Sequence, residues 1–476
     1  MPSPKILLIS PPGPLMVRED RCQWTVDDTT LTPLLPPTDL MYMAAIAEEV
    51  GGTCRIKDYT LDTVSEKQFI NDLKEFQPDY LVINTTTPTI CQDLRSCTIA
   101  KKHIPNIQTI AKGAHFLKFN TEILKEHPDL DIIIKGEPEI PFKKIISGQD
   151  KHEINGLTWR DAENIIQNSN HVFVEDLDLL PFPARHLIDN SRYVRPDNNK
   201  PVAVIKVSRG CPCNCFFCLA SSVSGSKVRL RSTESIITEI SHCIKKYHIH
   251  DFLFWADIFS YDKNWVLNLC NAIIESNLNI RWAANTKVGS IDQEMAMRMK
   301  QAGCRLLSVG VESGNQDILD KIGKKTTIYQ IQDTFQIIKK AHLTILAYYI
   351  IGLPWETKDT IEDTICLATK LDSDFAKFHI ATPFPGTRFF DYALATGLFK
   401  TIQSSQNPCS NPYIQTSVNG HYLSTSEIAL LQHKAIKAYF FRIKYFVDCL
   451  KKITSWRELC NYSKAAFVLF KNTTFC

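Results

Sequence analysis

Two long stretches of this chain alternate short β-branched runs with segments that repeat apolar residues at helical spacing. Few folds accept that alternation. Parallel strands of one sheet need a crossover connection, usually a helix, and that crossover is right-handed. Each stretch is therefore expected to form a parallel sheet covered by helices.

In residues 1–145 the expected strands are Lys5–Ser10, Cys54–Asp58, Tyr80–Asn84, Gln108–Lys112 and Asp131–Lys135. Thr38–Val50 fits a helix with Leu40, Ala44 and Ala47 on one apolar face, closed by Gly51 and Gly52. Five such strands suggest a flavodoxin-like (Rossmann-type) α/β sheet, whose ligand sits beyond the carboxyl ends of the strands. The loops there read Ser10-Pro-Pro-Gly-Pro14, Thr85-Thr-Thr-Pro-Thr89, Gly113-Ala-His115 and Gly136-Glu-Pro-Glu139. Residues 146–200 lose periodicity, and Pro181 and Pro183 forbid a helix, which reads as a linker.

The second stretch, 201–395, carries expected strands at Val202–Val207, Phe252–Trp255, Arg281–Asn285, Leu306–Gly310, Ile345–Ile350 and Phe375–Ala381. Helical segments such as Ile236–Lys246, Met295–Ala302, Ile328–Ala341 and Thr360–Leu371 separate them. Six β/α units make a partial (β/α)6 TIM-type barrel, with its active site at the carboxyl ends of the strands. Residues 396–476 turn helical. Ser424-Thr-Ser-Glu427 is a capping box that opens the run Ile428–Ile453, rich in aromatic and basic residues. That run is expected to pack on the open side of the barrel, with peripheral membrane contact as the alternative.

A net charge of +3 gives no global attraction to nucleic acid, so no nucleic-acid partner is expected and a small molecule fits better. The 16 cysteines do not resemble a secreted disulfide framework. The apolar start Ile6–Ile9 is closed by Pro11 and Pro12, too short for a signal segment, and a reducing cytoplasm is expected. Cys54, Cys243, Cys304 and Cys366 are scattered singly and read as small buried apolar residues. Cys211, Cys213, Cys215 and Cys218 are different, because they crowd into eight positions directly after an expected strand.

Cys211, Cys215 and Cys218 have the spacing CxxxCxxC. Three thiolates on one loop can hold three irons of a 4Fe-4S cluster and leave the fourth open to a ligand. A zinc knuckle that adds Cys213 lacks the distant second pair such sites normally use. The role of Cys213 stays open.

This loop resembles that of radical S-adenosylmethionine (SAM) enzymes. The resemblance implies that Phe217, ahead of the last cysteine, approaches the adenine of SAM. Phe254-Trp-Ala-Asp-Ile-Phe259 is similar to the family's segment after the second strand, which contacts the methionine amine. Ala256 stands where relatives commonly carry a first aspartate, leaving Asp257 to supply the carboxylate. Gly310-Val-Glu-Ser-Gly314 resembles the fourth-strand motif, implying that Glu312 bonds the ribose with Ser313 beside it. Ile351-Gly-Leu-Pro354, with Gly352, and Thr382-Pro-Phe-Pro-Gly-Thr387 resemble the turns after the fifth and sixth strands.

With a flavodoxin-like domain ahead of the barrel and the segment Leu179-Leu-Pro-Phe-Pro-Ala184 between, the chain resembles the cobalamin-binding subfamily. That group includes radical methyltransferases and the anaerobic magnesium-protoporphyrin monomethyl ester cyclase. The resemblance implies a cobalamin-binding domain at 1–145, a linker at 146–200, a radical SAM barrel at 201–395 and a helical region at 396–476. The implied cofactors are a 4Fe-4S cluster, SAM and cobalamin. Pro11, Pro12, Thr85, Thr86, Gly113, His115, Gly136 and Glu137 are the residues implied to meet the corrinoid. The DxHxxG loop that ligates cobalt in many cobalamin proteins is missing, and His115 reads as a hydrogen-bonding histidine at a strand end.

The activity implied is methyl transfer to an unactivated carbon of a small-molecule or lipid-like substrate, through a 5′-deoxyadenosyl radical. A low-potential donor such as ferredoxin or flavodoxin would supply electrons. The alternatives are radical cyclisation or oxidation of a porphyrin, lipid or antibiotic precursor, and a non-catalytic corrinoid or zinc sensor.

Overall fold

The computed structural model describes residues 3–20, 22–25, 34–61, 66–169, 172–195, 197–399, 418–453, 455–456, 458–461, 463, 464 and 466. Its first sheet contains β1 (Lys5–Ser10), β2 (Thr53–Asp58), β3 (Tyr80–Asn84), β4 (Gln108–Lys112), β5 (Ile132–Ile134), β6 (Leu157–Asp161) and β7 (Asn164–Gln167). The spatial order is β2-β1-β3-β4-β5-β6-β7. The first five strands are parallel in the flavodoxin-like order. Both faces of this sheet are covered, which is why β1 is a continuous apolar run. Ile6 and Leu8 join one core, with Ile56, Val82 and Ile110, while Leu7 and Ile9 join the other, with Phe69, Leu73 and Leu94.

The segment expected as a linker begins by continuing this sheet. β6 pairs with β5 and β7 with β6, both antiparallel, so the sheet runs on to Gln167. Strands of five and four residues carry too short a period to stand out from irregular sequence. A second small hairpin, Met16–Glu19 against Cys22–Thr25, follows the proline loop after β1 and was not expected from the sequence. The helix Thr38–Glu49 has no solvent face along most of its length, since every residue from Thr38 to Ala47 is buried.

The second sheet is β8 (Val202–Lys206), β9 (Asp251–Trp255), β10 (Arg281–Thr286), β11 (Cys304–Glu312), β12 (Thr344–Ile351) and β13 (Phe375–Ile380). All six strands are parallel and lie in sequence order, the arrangement of an open barrel. Helices including Thr233–Tyr247, Lys263–Glu275, Ile328–Lys340 and Lys358–Leu371 cover it through amphipathic faces. Cys54, Cys243 and Cys304 are buried as expected, whereas Cys366 is exposed on the helix Lys358–Leu371.

The C-terminal run is two helices. Thr425–Phe440, opened by the Ser424/Glu427 capping box, lies along β13. Gln432 Nε2 donates to the Phe378 carbonyl at 2.7 Å, and the Tyr439 and Ser373 hydroxyls are 2.8 Å apart. The helix stops at Phe441, and Ile443–Lys452 forms the second. Among the described residues, no helix is long and apolar enough to cross a membrane.

Candidate functional site

The carboxyl ends of the two sheets face one another, and buried charges join them. Asp39, in the first helix, sits between two lysines that close apolar strands. Lys112 Nζ, ending β4, is 2.5 Å from Asp39 and 2.9 Å from Asp20. Lys206, ending β8, pairs with Asp39 from the barrel side. Burial opposes the Asp39 carboxylate, but the two ammonium groups outweigh it and hold its pKa below the usual carboxylate range. Beside this triad, Arg229 makes a bidentate pair with Glu137 at 2.7 and 2.9 Å, and Arg209 reaches Glu139 at 2.6 Å. Arg209 thereby serves an ion pair between the sheets. A cavity at this junction is lined by Asp20, Glu139, Lys206, Arg209, Trp255 and Asp257.

The cysteine loop leaves β8 through Ser208–Arg209, which pairs with Arg229–Leu230. Gly210 has φ +101°, and a Cβ there would overlap the Lys227 carbonyl, so only glycine makes this turn. Its N–H donates to Asp257 Oδ2 at 2.7 Å, and the Cys211 N–H donates to the Gly225 carbonyl at 2.9 Å. Asp257 thus secures the entrance of the loop. Cys211, Cys213 and Cys218 pack with Ala220 and Ile258, and the Cys218 N–H donates to the Cys215 carbonyl at 3.1 Å. Among the described residues, no three His, Cys, Asp or Glu side chains converge closely enough to hold a single metal ion. A hydrogen bond from Cys211, with Lys287 and Lys324 nearby, lowers the Cys213 thiol to about 6.

Phe216 and Phe217 divide their roles. Phe216 is buried against Trp355, Phe389 and Tyr392 at 4.8, 5.2 and 5.7 Å between ring centroids, and Phe217 is half-buried against the barrel core.

Glu312 ends β11 with φ +70°, a strained value for a residue with a side chain. Its Oε1 accepts from Lys324 Nζ at 2.5 Å. Burial works against the Lys324 ammonium, yet Glu312 and the Cys215 and Cys218 thiols outweigh it and raise its pKa. A Cβ at Gly310 would collide with the Glu312 carboxylate. Ser313 is fully buried, with its hydroxyl 3.2 Å from that of Thr364. Gly352 has φ +94° and lies so close to Ile428 of the C-terminal helix that a Cβ would clash. The N–H groups of Gly352 and Leu353 donate to Glu356 Oε2 at 2.7 and 2.9 Å. The other Glu356 oxygen is buried without a partner, and burial pushes the carboxyl up to about 7.

On the opposing sheet, Pro12 is tied to Gln92 Nε2 at 3.2 Å. Pro11 stands beside it in the same loop. Thr85 donates its hydroxyl to the Lys112 carbonyl at 2.9 Å, and the Thr86 N–H donates to Asp93, itself in a buried pair with Arg18 at 2.9 Å. A Cβ on Gly113 would overlap Thr85, so this turn also requires glycine. Gly136 takes φ +73° and delivers Glu137 into its pair with Arg229. His115 corrects its expectation, because both ring nitrogens are buried without a hydrogen-bond partner. Its ring lies 5.3 Å from that of Phe119, and burial lowers its pKa to about 4.

Asp39, Lys112, Lys206 and Lys324 belong to no motif. Their sequence signal is slight: a carboxylate near the start of an apolar helix, and a lysine closing each of two apolar strands.

The profile of the radical SAM superfamily matches residues 205–368, from the end of β8 into the helix Lys358–Leu371. An uncharacterized methyltransferase of Pyrococcus horikoshii is 30% identical over 448 residues, 93% of this chain and 94% of the relative. The anaerobic magnesium-protoporphyrin IX monomethyl ester cyclase of Cereibacter sphaeroides is 24% identical, covering 87% of this chain and 71% of its own. Among solved structures, the radical S-adenosylmethionine methyltransferase TsrM from Kitasatospora setae aligns with a TM-score of 0.71 at 16% identity, covering 92% of this chain and 89% of that one. OxsB, a cobalamin-dependent S-adenosylmethionine radical enzyme, aligns at 0.74 and 14% identity, covering 99% of this chain and 71% of that one. These two likenesses concern the fold, in which a flavodoxin-like sheet precedes the barrel. The chain belongs to the radical SAM superfamily, among the enzymes built on that two-sheet plan.

Proposed function

We propose that this protein is a cobalamin-dependent radical SAM methyltransferase that acts on an unactivated carbon of a small-molecule or lipid-like substrate. One observation carries the reading: the cavity between the two sheets is lined on one side by Asp20, Gly136 and Glu139 and on the other by Ser208, Arg209 and Asp257, which flank the entrance of the Cys211/Cys215/Cys218 loop. When bound, the cluster and SAM supply a 5′-deoxyadenosyl radical and the corrinoid supplies the methyl group.

The residues fit these groups. Three thiols on a glycine-turned loop are the donor set of a 4Fe-4S cluster. Lys324 places a cation beside Cys215 and Cys218 that offsets thiolate charge. Glu312, held by Lys324, would offer a carboxylate oxygen to the SAM ribose, Asp257 would meet the amine and Phe217 the adenine. Ser313 and Gly352 shape the backbone around them. For the corrinoid, the orphaned oxygens Asp20 Oδ1 and Glu139 Oε2 line the cavity and suit the amide groups of a macrocycle. His115, after β4, is fully buried and stands outside the lining of this cavity. Pro12 and Gly136 are partly exposed in the adjoining loops, Pro11, Thr85, Thr86 and Gly113 lie buried beneath them, and Glu137 holds the two sheets together. The buried charge pairs fix one sheet against the other and so fix the distance across which a substrate must sit. A low-potential ferredoxin or flavodoxin would deliver the electrons.

The test is anaerobic reconstitution with iron, sulfide and hydroxocobalamin, followed by turnover with dithionite, methyl-labelled SAM and a small-molecule extract. Label in an extract component, with S-adenosylhomocysteine formed alongside 5′-deoxyadenosine, supports methyl transfer. Formation of 5′-deoxyadenosine alone points to cyclisation or oxidation. Protein that takes up no iron and shows no visible sulfide-to-iron absorbance removes the reading.

A further inference from the structure

Among the described residues, 13 large apolar side chains are exposed, and eight of them lie between Tyr422 and Trp456. Four belong to the helix Ile443–Lys452: Ile443, Phe446, Val447 and Leu450, the first two 85% and 63% exposed. Their spacing of three, four and seven residues places them on one stripe of that helix. Tyr445, on the other side, packs against Phe440 and Tyr439 at 5.1 and 5.6 Å between ring centroids. The stripe therefore faces outward because its opposite side is the one docked.

Two ion pairs hold the helix in that attitude. Lys444 pairs with Asp372, and Arg442 reaches the same carboxylate at 3.1 Å and the Thr369 carbonyl at 2.8 Å. Asp372 ends the helix that leads into β13, so this attachment is at the amino-terminal end of the barrel strands. The cysteine loop is at the other end.

Charge singles out the occupant. Residues 434–464 contain eight Lys or Arg and two Asp or Glu, in a chain whose net charge is only +3, so the rest of the chain is net negative. A small apolar stripe within a basic segment suits insertion at the boundary of an anionic bilayer, where apolar burial and attraction to lipid headgroups act together. A second copy of the chain fits poorly. Stable interfaces bury about 800 Å² per partner, and a symmetric contact would bring the same cations face to face.

We propose that the helix Ile443–Lys452 seats the protein on an anionic membrane surface. The enzyme is anchored by the amino-terminal end of its barrel, with the mouth between the two sheets turned away from the bilayer.

The experiment uses the full-length reconstituted enzyme and sedimentation with sucrose-loaded vesicles of phosphatidylcholine, with and without phosphatidylglycerol. Binding only to the anionic vesicles is expected, weakening at about 0.5 M salt as screening shortens the reach of the basic segment. Phe446→Glu and Leu450→Glu should each reduce binding by about 10-fold or more. Iron content and dithionite-driven SAM cleavage should stay unchanged in both variants, which shows that they are folded. The proposal is overturned if the enzyme ignores both vesicle types, or if both variants bind as the native chain does. Equally, a concentration-dependent dimer that Phe446→Glu abolishes, without vesicle binding, would assign the stripe to a second copy instead.

Discussion

Lys324 Nζ lies 2.5 Å from Glu312 Oε1, and the thiols of Cys215 and Cys218 are close enough to favour the charge on the same ammonium. One buried cation thus serves both the carboxylate proposed for SAM and the loop proposed for the cluster. Lys324→Met should leave iron content unchanged but shift the reduced-cluster midpoint to lower potential, because reduction adds an electron beside a cation that is no longer there. Dithionite-driven SAM cleavage should slow by about 10-fold or more, since charge pairs at this separation are worth several kcal/mol at an effective dielectric near ~20. A potentiometric titration followed by electron paramagnetic resonance checks the first effect, and the rate of 5′-deoxyadenosine formation the second.

The thiols should separate into two classes. Cys211→Ala, Cys215→Ala and Cys218→Ala are each expected to abolish SAM cleavage and lower the iron bound. Cys213→Ala should retain most of both, since Cys213 lies outside the CxxxCxxC spacing. Equal loss in all four would assign the ligands differently.

Between the sheets, Arg229→Ala would strand Glu137 among buried groups. It removes both short bonds to that carboxylate, at 2.7 and 2.9 Å, and leaves Arg209 at 3.5 Å as the remaining cation. The cost should be about 3–5 kcal/mol of stability by urea denaturation. Combining it with Glu137→Gln should recover part of the loss, because the stranded charge is then gone. A double variant no more stable than Arg229→Ala alone would mean the loss comes from packing.

Glu356 predicts a pH dependence. Its folded pKa of about 7 lies above its ordinary value of 4.5, so between these the folded state holds a proton that the unfolded state has released. Stability contributed by the protonated carboxyl is present below pH 4.5 and is lost as pH rises toward 7. Glu356→Gln should flatten the fall in unfolding temperature across this window, since the amide does not ionise. Thermal scans of both proteins from pH 5 to pH 8 give the comparison, and parallel curves would exclude Glu356 as the source.

Much of the architecture was legible in the chain because local patterns report local geometry. β1, β3 and β4 occupy the residues their apolar runs indicated, and the Ser424 capping box opens its helix as read. Less legible were β6 and β7, too short to show a period, and the break at Phe441, where sequence composition continues unchanged although the helix does not. The helix Thr38–Glu49 was readable as a helix but not as one buried on nearly every side, since its burial comes from elements distant in sequence.

The sequence by itself determined the parallel strands of both sheets and the cysteine loop after β8. Strand period, crossover handedness and thiol spacing act over a few residues and need no distant partner. Tertiary structure decided which charges meet. Asp39 finds Lys112 and Lys206 across 73 and 167 residues, Glu137 finds Arg229 across 92, and His115 packs against Phe119 with no hydrogen bond to either ring nitrogen. Such pairings depend on how the sheets dock, and a buried charge is tolerated only where that docking supplies its counterion, which no local pattern encodes.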